Sequence, residues 1–240
     1  MKKNNSSNLI IFLAIALTGL IITAFTPAKK LYSSETRNPG NFNKISLALA
    51  ADVQLIQGSQ CKVEIEADND DLGKIETEVK NGTLEIKTKN WANNINGKIS
   101  IKIVMPELEG ISVAGSGNIH SDSEFKSDQL KLSVSGSGSI LIEKNGASNT
   151  NAVITGSGNI KQMGSNTAEN INVTITGSGS YNSLGMKVSE AVVTITGSGS
   201  AKVNVIKELK TNITGSGSVH YEGDPMVNAN STGSGRTKKL

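Results

Sequence analysis

Residues 173–182 read VTITGSGSYN, and residues 193–202 read VTITGSGSAK. Gly-Ser runs by themselves are typical of flexible linkers. In both of these lines, however, Val and Ile alternate with Thr directly before the GSG, and such alternation is typical of a half-buried β-strand. The two lines therefore indicate a structural unit that is repeated, rather than a linker.

The GSG tripeptide recurs along the second half of the chain at intervals of 18 to 21 residues. It begins at Gly115, Gly136, Gly156, Gly177, Gly197, Gly215 and Gly233. A steady period of about 20 residues is typical of a solenoid, in which each repeat contacts only its neighbours. Because two glycines in every repeat would destabilise helices, the repeat predicts an all-β fold.

Apolar residues stand at fixed positions around each GSG. Two residues before its first glycine stand Val113, Val134, Ile154, Ile175, Ile195 and Ile213. Four residues after that glycine stand Ile119, Ile140, Ile160, Tyr181, Ala201 and Val219. We therefore predict a parallel β-helix whose coils stack about 4.8 Å apart, with an Ile/Val ladder inside and a Ser/Thr ladder outside.

The glycines are assigned a structural role at one corner of each coil. Glycine tolerates positive φ and close approach of another backbone, and stacked corners require both. The glycines in this role are Gly115, Gly117, Gly136, Gly138, Gly156, Gly158, Gly177, Gly179, Gly197, Gly199, Gly215 and Gly217. The serines between them are predicted to form a column, and the sequence leaves open whether it faces inward or outward.

Before the first GSG, apolar and polar residues alternate, but the GSG repeat is absent. Residues 44–68 predict strands with a turn near residues 57–59, and residues 74–89 predict a hairpin around Asn81-Gly82. Residues 98–119 lead directly into the first GSG coil. We interpret this part as irregular β coils and hairpins that cap the solenoid, because bare sheet ends invite edge-to-edge association.

The N-terminus predicts export. Lys2 and Lys3 precede an apolar segment at residues 9–25, and small residues up to Ala28 suit cleavage. An uncleaved anchor is the competing interpretation, because the segment is about as long as a short membrane span. No cysteine stands directly after the apolar segment, so a lipoprotein is not predicted. The protein is expected in the periplasm, on the outer surface or in the medium. The predicted organisation is a signal peptide or N-terminal anchor at 1–28, a linker at 29–40, one domain at 41–235 (an N-terminal β part at 41–110 and GSG coils at 111–235) and a polar tail at 236–240.

Charge and cysteine content exclude several classes of protein. The formal net charge is +3, and residues 1–28 contribute two lysines and no acid, so the remainder carries +1. A near-neutral, mixed surface predicts no nucleic-acid partner and no membrane contact beyond the N-terminal segment. The single cysteine, Cys61, cannot form an internal disulfide and is interpreted as a small core residue of a strand. Trp91 is interpreted as a loop anchor packed on the cap.

No catalytic residue, cofactor or metal site is predicted. His120 and His220 both stand five residues after a first glycine, but five coils apart, which is roughly 24 Å by strand spacing. No GSG is followed by the aspartate of a calcium-binding β-roll. The acidic residues fall in the variable parts of the coils and are interpreted as sharing no row: Asp122, Glu124, Asp128, Glu143, Glu169, Glu190, Glu208, Glu222 and Asp224.

Three segments carry a resemblance to a known family. They are ADVQLIQG at residues 51–58, DLGKIETEVKNGTLEI at residues 71–86 and MPELEGISVAGSG at residues 105–117. From about residue 41 to 235 the chain resembles the putative auto-transporter adhesin, head GIN domain family, which is typical of Bacteroidetes. The resemblance implies an exported β-helical domain with adhesion as its activity, and it supplies no catalytic residues.

The resulting expectation is an exported binding or adhesive module without catalytic activity, whose partner is a glycan or another envelope component. The alternatives are a structural scaffold of the envelope, a polysaccharide-cleaving β-helix enzyme, and an ice-binding surface built on Thr174/Thr176 and Thr194/Thr196. The threonine rows are interrupted in the neighbouring coils, which argues against the last. The charged tail is expected to block end-to-end association, leaving a monomer or a small oligomer.

Overall fold

The structure, a computed structural model, describes residues 32–89, 95, 97–164 and 166–240. The predicted signal peptide or anchor at 1–28 and Trp91 lie outside the described residues. The first strands are β1 (Tyr32–Arg37), β2 (Lys44–Ala48), β3 (Asp52–Gln57), β4 (Lys62–Asp68), β5 (Ile75–Lys80), β6 (Thr83–Thr88) and β7 (Ser100–Met105). The GSG region contains β8 (Gly110–Gly115), β9 (Asn118–Ser121), β10 (Phe125–Gly136), β11 (Ser139–Ile142), β12 (Asn145–Gly156), β13 (Asn159–Met163), β14 (Ala168–Gly177), β15 (Ser180–Gly197), β16 (Ser200–Gly215), β17 (Ser218–Glu222), β18 (Met226–Gly233) and β19 (Arg236–Lys239).

The GSG region is a parallel solenoid, as predicted. The strands that precede the GSG tripeptides are paired in parallel with one another, and we term them the first sheet. It contains β8, β10, β12, β14, the second halves of β15 and β16, and β18. The strands that follow each GSG form the second sheet, which contains β9, β11, β13, the first halves of β15 and β16, β17 and β19. One short helix, α1 (Asn69–Leu72), interrupts the strands, and the described part of the chain has no helix that could cross a membrane.

The predicted inner ladders are the core of the solenoid. Ile154, Ile175, Ile195 and Ile213 pair in register in successive coils, and none is more than 2% exposed. The row on the second sheet, from Ile119 to Val219, is buried in the same way. Because one coil cannot cover its own apolar side, each row depends on the rows above and below it.

Each GSG after the first forms a corner that is hydrogen-bonded to the corner of the preceding coil. Gly177 has φ 113°, and the backbone N–H of Ser178 donates to the carbonyl oxygen of Gly156 at 2.9 Å. Gly179 is buried, and a Cβ placed on it would lie 2.4 Å from Cγ2 of Ile154. The serines of the corners are exposed, so their column faces outward: Ser116, Ser137, Ser157, Ser178, Ser198, Ser216 and Ser234.

The N-terminal part stacks in an order that differs from the order of the chain. The coil made by β2 and β3 lies between β6–β7 on one side and β8–β9 on the other, with parallel pairing throughout. Antiparallel strands complete this end. β5 pairs with β6 in a hairpin whose turn residues, Asn81 and Gly82, both have positive φ. β4 pairs with β7, and β1 pairs with β4. The hairpin and the cap were predicted from the sequence, and the insertion of one coil between two later ones was not.

Two segments that the sequence analysis placed outside the domain are strands in the structure. Residues 32–37 of the predicted linker form β1, and the Arg37 guanidinium anchors it by donating to the carbonyl oxygen of Ile75 at 2.8 Å. Residues 236–239 of the predicted tail form β19, which pairs with β17. Both assignments were missed because charged and hydroxyl side chains mask the strand pattern in YSSETR and RTKK.

A small polar cluster lies within the aliphatic core. Tyr181 donates its hydroxyl hydrogen to Oε1 of Gln162 at 2.8 Å, and Nε2 of Gln162 donates to Oγ1 of Thr150 at 3.4 Å. All three side chains are at most 2% exposed. Burial raises the pKa of the Tyr181 phenol well above its ordinary value of about 10.

Alkaline pH is expected to destabilise the protein through Tyr181. The folded state holds the phenol proton while the unfolded chain releases it above about pH 10, so the free energy of unfolding falls by up to about 1.4 kcal/mol for each further pH unit. Melting temperatures measured from pH 8 to 11 check this. Tyr181→Phe should melt at a lower temperature than the unmodified protein at neutral pH, because it loses the hydrogen bond to Gln162. Its melting temperature should, however, fall less between pH 8 and 11. An equal decrease in both proteins would contradict the assignment.

Candidate binding surfaces

The outward side of the first sheet is a regular array of hydroxyl and amide groups, which we term the threonine face. It consists of two in-register columns. The columns are Ser112, Ser133, Val153, Thr174, Thr194, Asn212, Asn230 and Ala114, Ser135, Thr155, Thr176, Thr196, Thr214, Thr232. Neighbouring groups within a column are about 4.8 Å apart, because each belongs to the next strand of the sheet. Apart from Ala114 and Val153, which have no polar side-chain atom, the face can therefore present hydrogen-bonding groups at one fixed spacing.

A groove of about 620 Å³ lies at the N-terminal end of the threonine face. It forms beside the two columns, in a row where Gly110 lies in register between Lys44 and Lys131. Because glycine has no side chain, this row has a gap between the two lysines. Ser46, Ser112 and Ser133 line the groove among others. Its lining combines lysines with serines and with aliphatic side chains such as Leu132, so it suits a ligand that has both polar and apolar groups.

The second sheet has its own groove, of about 460 Å³, beside the antiparallel strands. Two of its carboxylates have partners. Asp52 accepts from Nδ2 of Asn118 at 3.0 Å and lies 3.5 Å from Nζ of Lys98. A hydrogen bond from Lys62 holds the pKa of the Glu64 carboxyl below its usual range. A general acid needs the opposite shift, so Glu64 is arranged as the ion-pair partner of Lys62 rather than as a general acid.

The other residues singled out in the sequence do not converge on one site. Nε2 of His120 lies 3.2 Å from Oε1 of Glu143, whereas His220 lies five strands further along the second sheet. Cys61 is partly buried, and its thiol donates to the carbonyl oxygen of Phe42. Among the described residues, no cluster of three or more His, Cys, Asp or Glu is arranged for a metal ion.

The acidic residues do share a row at one place, which corrects the sequence interpretation. Glu190 pairs in register with Glu208, and Lys210 lies 3.0 Å from the Glu208 carboxylate. Both glutamates stand seven residues before a first glycine. The shared row is therefore already contained in the spacing of the repeat.

Sequence reasoning also missed a ladder of basic residues on the second sheet. The position five residues after each first glycine points outward, and in five successive coils it carries Lys161, Asn182, Lys202, His220 and Lys238. We term these residues the lysine ladder. The signal was present in the shared slot of His120 and His220, but only the two histidines were compared there.

The chain belongs to the family described as "Putative auto-transporter adhesin, head GIN domain", whose model matches residues 41–225. Among solved structures, a "putative adhesin" from Bacteroides fragilis NCTC 9343 has a TM-score of 0.81 at 23% identity, covering 88% of this chain and 98% of that one. A "putative adhesin" from Parabacteroides distasonis ATCC 8503 has a TM-score of 0.73 at 22% identity, covering 88% and 98%. A "putative lipid binding protein" from the same strain has a TM-score of 0.71 at 23% identity, covering 87% and 96%. No curated protein sequence matches the chain.

Proposed function

We propose that this protein is an exported adhesive module of the cell envelope, which binds a glycan or another envelope component without transforming it. The observation that carries the proposal is the threonine face, where hydroxyl and amide side chains stand in register along the solenoid. Membership in an adhesin family agrees with this role. The basic start and apolar segment at residues 2–25 support export.

Rigidity is the physical reason why such a face suits adhesion. Except on the last strand, β18, each side chain is held on a strand that is hydrogen-bonded on both sides. Binding therefore orders few additional groups, and little conformational entropy is lost. A single hydroxyl contact contributes only about 1 kcal/mol. Repeated contacts with a repetitive ligand, and several modules on one surface, can raise the overall affinity well beyond that of one contact.

Protease treatment of intact cells tests the location that the proposal requires. An adhesin on the outer surface is expected to be cleaved while a periplasmic control protein stays intact. Protection of the protein in intact cells, with cleavage only after the envelope is permeabilised, would favour the periplasmic scaffold instead. The readout is the amount of full-length protein detected by antibody before and after permeabilisation.

Removing the hydroxyls of the threonine face is expected to weaken binding. Valine keeps the shape and strand preference of threonine, so a variant with Val at positions 174, 176, 194 and 196 should fold normally. We expect binding to a glycan array and to isolated envelopes to weaken at least about tenfold, given about 1 kcal/mol for each lost bond.

The matched control removes four exposed hydroxyls from the corners, with Ala at positions 116, 137, 178 and 198. It should bind like the unmodified protein. Equal binding by the threonine-face variant, at an unchanged melting temperature, would show that this face is not the adhesive surface.

A further inference from the structure

The lysine ladder places cations at a regular interval. Lys161, Lys202 and Lys238 occupy every second coil, and Asn182 and His220 occupy the coils between them. Because strands in a sheet lie about 4.8 Å apart, the lysine-bearing positions recur about every 10 Å. All three lysines are exposed.

The charges of the ladder are not neutralised within the protein. Among the described residues, Lys161, Lys202, Lys238 and the nearby Arg236 take part in no ion pair or side-chain hydrogen bond. The N-terminal end of the same sheet is different, because its lysines lie beside carboxylates, as Lys98 does beside Asp52. Two carboxylates lie near the C-terminal end of the ladder, but Glu222 accepts a hydrogen bond from Asn204 and Asp224 pairs with Lys239. The three lysines and Arg236 therefore leave an excess of positive charge along the ladder.

A column of hydroxyl groups runs directly beside the ladder. Ser180, Ser200 and Ser218 pair in register two residues before the ladder positions, on the same side of the sheet. Oγ of Ser180 donates to Oδ1 of Asn159 at 2.6 Å, which links this column across coils. A ligand lying along the ladder would meet an alternation of cations and neutral hydrogen-bonding groups.

We infer that the lysine ladder binds an anionic polysaccharide that carries an acidic group about once in every two sugars. The inference rests on the proposed function only in placing the ladder outside the cell, and it does not require the threonine face to bind. A carboxylate or sulfate on such a chain meets each lysine, and the hydroxyls of the intervening sugars meet the serine column and Asn182. Electrostatic complementarity of this kind sets which ligand is chosen and how fast it binds.

The same surface fits a nucleic acid poorly. A nucleic-acid strand carries a phosphate about every 3.4 Å, which is much denser than the cations of the ladder. Single-strand binding also depends on aromatic side chains that stack on bases. Of the described outward positions on this sheet between residues 159 and 238, none is Phe, Tyr or Trp.

Binding of defined oligosaccharides to the purified protein tests the inference. The probes are hyaluronan oligosaccharides, with one carboxylate per disaccharide, polygalacturonate oligosaccharides, with one on every sugar, chitin oligosaccharides, which are neutral, and a single-stranded DNA oligomer. We expect the anionic glycans to bind, with affinity that falls as salt rises, and the neutral glycan to bind much more weakly.

The decisive variant reverses the charge of the lysine ladder by placing Glu at positions 161, 202 and 238. It should weaken binding of the anionic glycans at least about tenfold. The control variant carries Glu at positions 89, 126 and 207, which makes the same change of net charge away from the second sheet and from the groove at Gly110, and it should bind within about twofold of the unmodified protein. Melting temperatures of both variants verify that they fold.

Several results would overturn the inference, and they are distinguishable from a failure of the proposed function. Absence of binding to both anionic glycans, tighter binding to DNA, or equal weakening by the two variants would each refute the ladder as a polysaccharide site. Adhesion to envelopes that survives reversal of the ladder would leave the proposed adhesive function standing. Absence of binding to every glycan and every envelope preparation would refute both.

Discussion

Ile175→Asp is expected to prevent the protein from folding or to leave it barely folded. Ile175 is fully buried, in register between Ile154 and Ile195. A carboxylate there would be surrounded by aliphatic side chains with no cation or donor to compensate it, and an unpaired buried charge costs about 4–5 kcal/mol or more. Because the total stability of a typical domain is about 5–15 kcal/mol, this one change removes a large part of it.

The position of Ile175 in the middle of the solenoid increases the loss of stability. Each coil contacts only its neighbours, so a defect at this row separates the coils before it from those after it. Urea unfolding and circular dichroism measure the loss. Thr176→Asp is the control, because its side chain is exposed on the same strand, and we expect a change within about 0.5 kcal/mol.

A milder variant keeps the prediction testable if Ile175→Asp is insoluble. Ile175→Ala leaves a cavity and should cost about 3 kcal/mol. Equal stability of Ile175→Ala, Thr176→Asp and the unmodified protein would contradict the inward position of this row.

Gly177→Ala is expected to cost about 4 kcal/mol, from backbone strain and from a steric clash of about 2 kcal/mol each. The φ of 113° at Gly177 is one that residues with a side chain rarely adopt. In addition, a Cβ at this position would lie 2.6 Å from the carbonyl oxygen of Gly156 in the preceding coil. That oxygen accepts the N–H of Ser178, so the clash also disturbs the bond between corners.

The first GSG provides a control that separates the two causes. Gly115 has φ 100°, and a Cβ there would meet no atom within 4 Å. Gly115→Ala should therefore show the backbone strain alone, about 2 kcal/mol. Chemical denaturation of both variants measures the difference, and equal losses would mean that the stacking of corners contributes nothing to the requirement for glycine.

Much of the solenoid could be predicted from the chain because two short-range rules apply in every repeat. The alternation around each GSG assigns side chains such as Val134 and Ile195 to the core, since successive residues of a strand point to opposite sides. The constant interval between glycines then brings equivalent residues into register. Both rules act within about one repeat, so no distant contact is needed to apply them.

The stacking order at the N-terminal end could not be predicted in the same way. The strands β2 and β3 lie between β6–β7 and β8–β9, although the chain reaches β6 and β7 later. Alternation in residues 44–57 shows which side chains are buried, but many strand edges can satisfy the same pattern. The choice among them depends on packing between residues far apart in the chain, which periodicity does not contain.

The candidate surfaces were only partly accessible from the sequence. The threonines of the threonine face follow from the alternation, whereas the lysine ladder appears only when the outward positions after each GSG are aligned as carefully as the inward ones. Among the described residues no carboxylate forms an ion pair with Lys161, Lys202 or Lys238, and this depends on the neighbouring columns of the sheet. Such columns join residues from several coils, and their charge balance is a property of the folded surface.

The sequence by itself determined the all-β solenoid, its corners and the residues of its aliphatic core, because alternation and period are local and repeat in each coil. Only the tertiary structure decided the order of the N-terminal strands, the outward direction of the corner serines, the groove at Gly110 and the unbalanced charge of the lysine ladder. Each of these depends on which strand lies beside which. That choice is made by the free energy of the whole packed chain, and no single repeat specifies it.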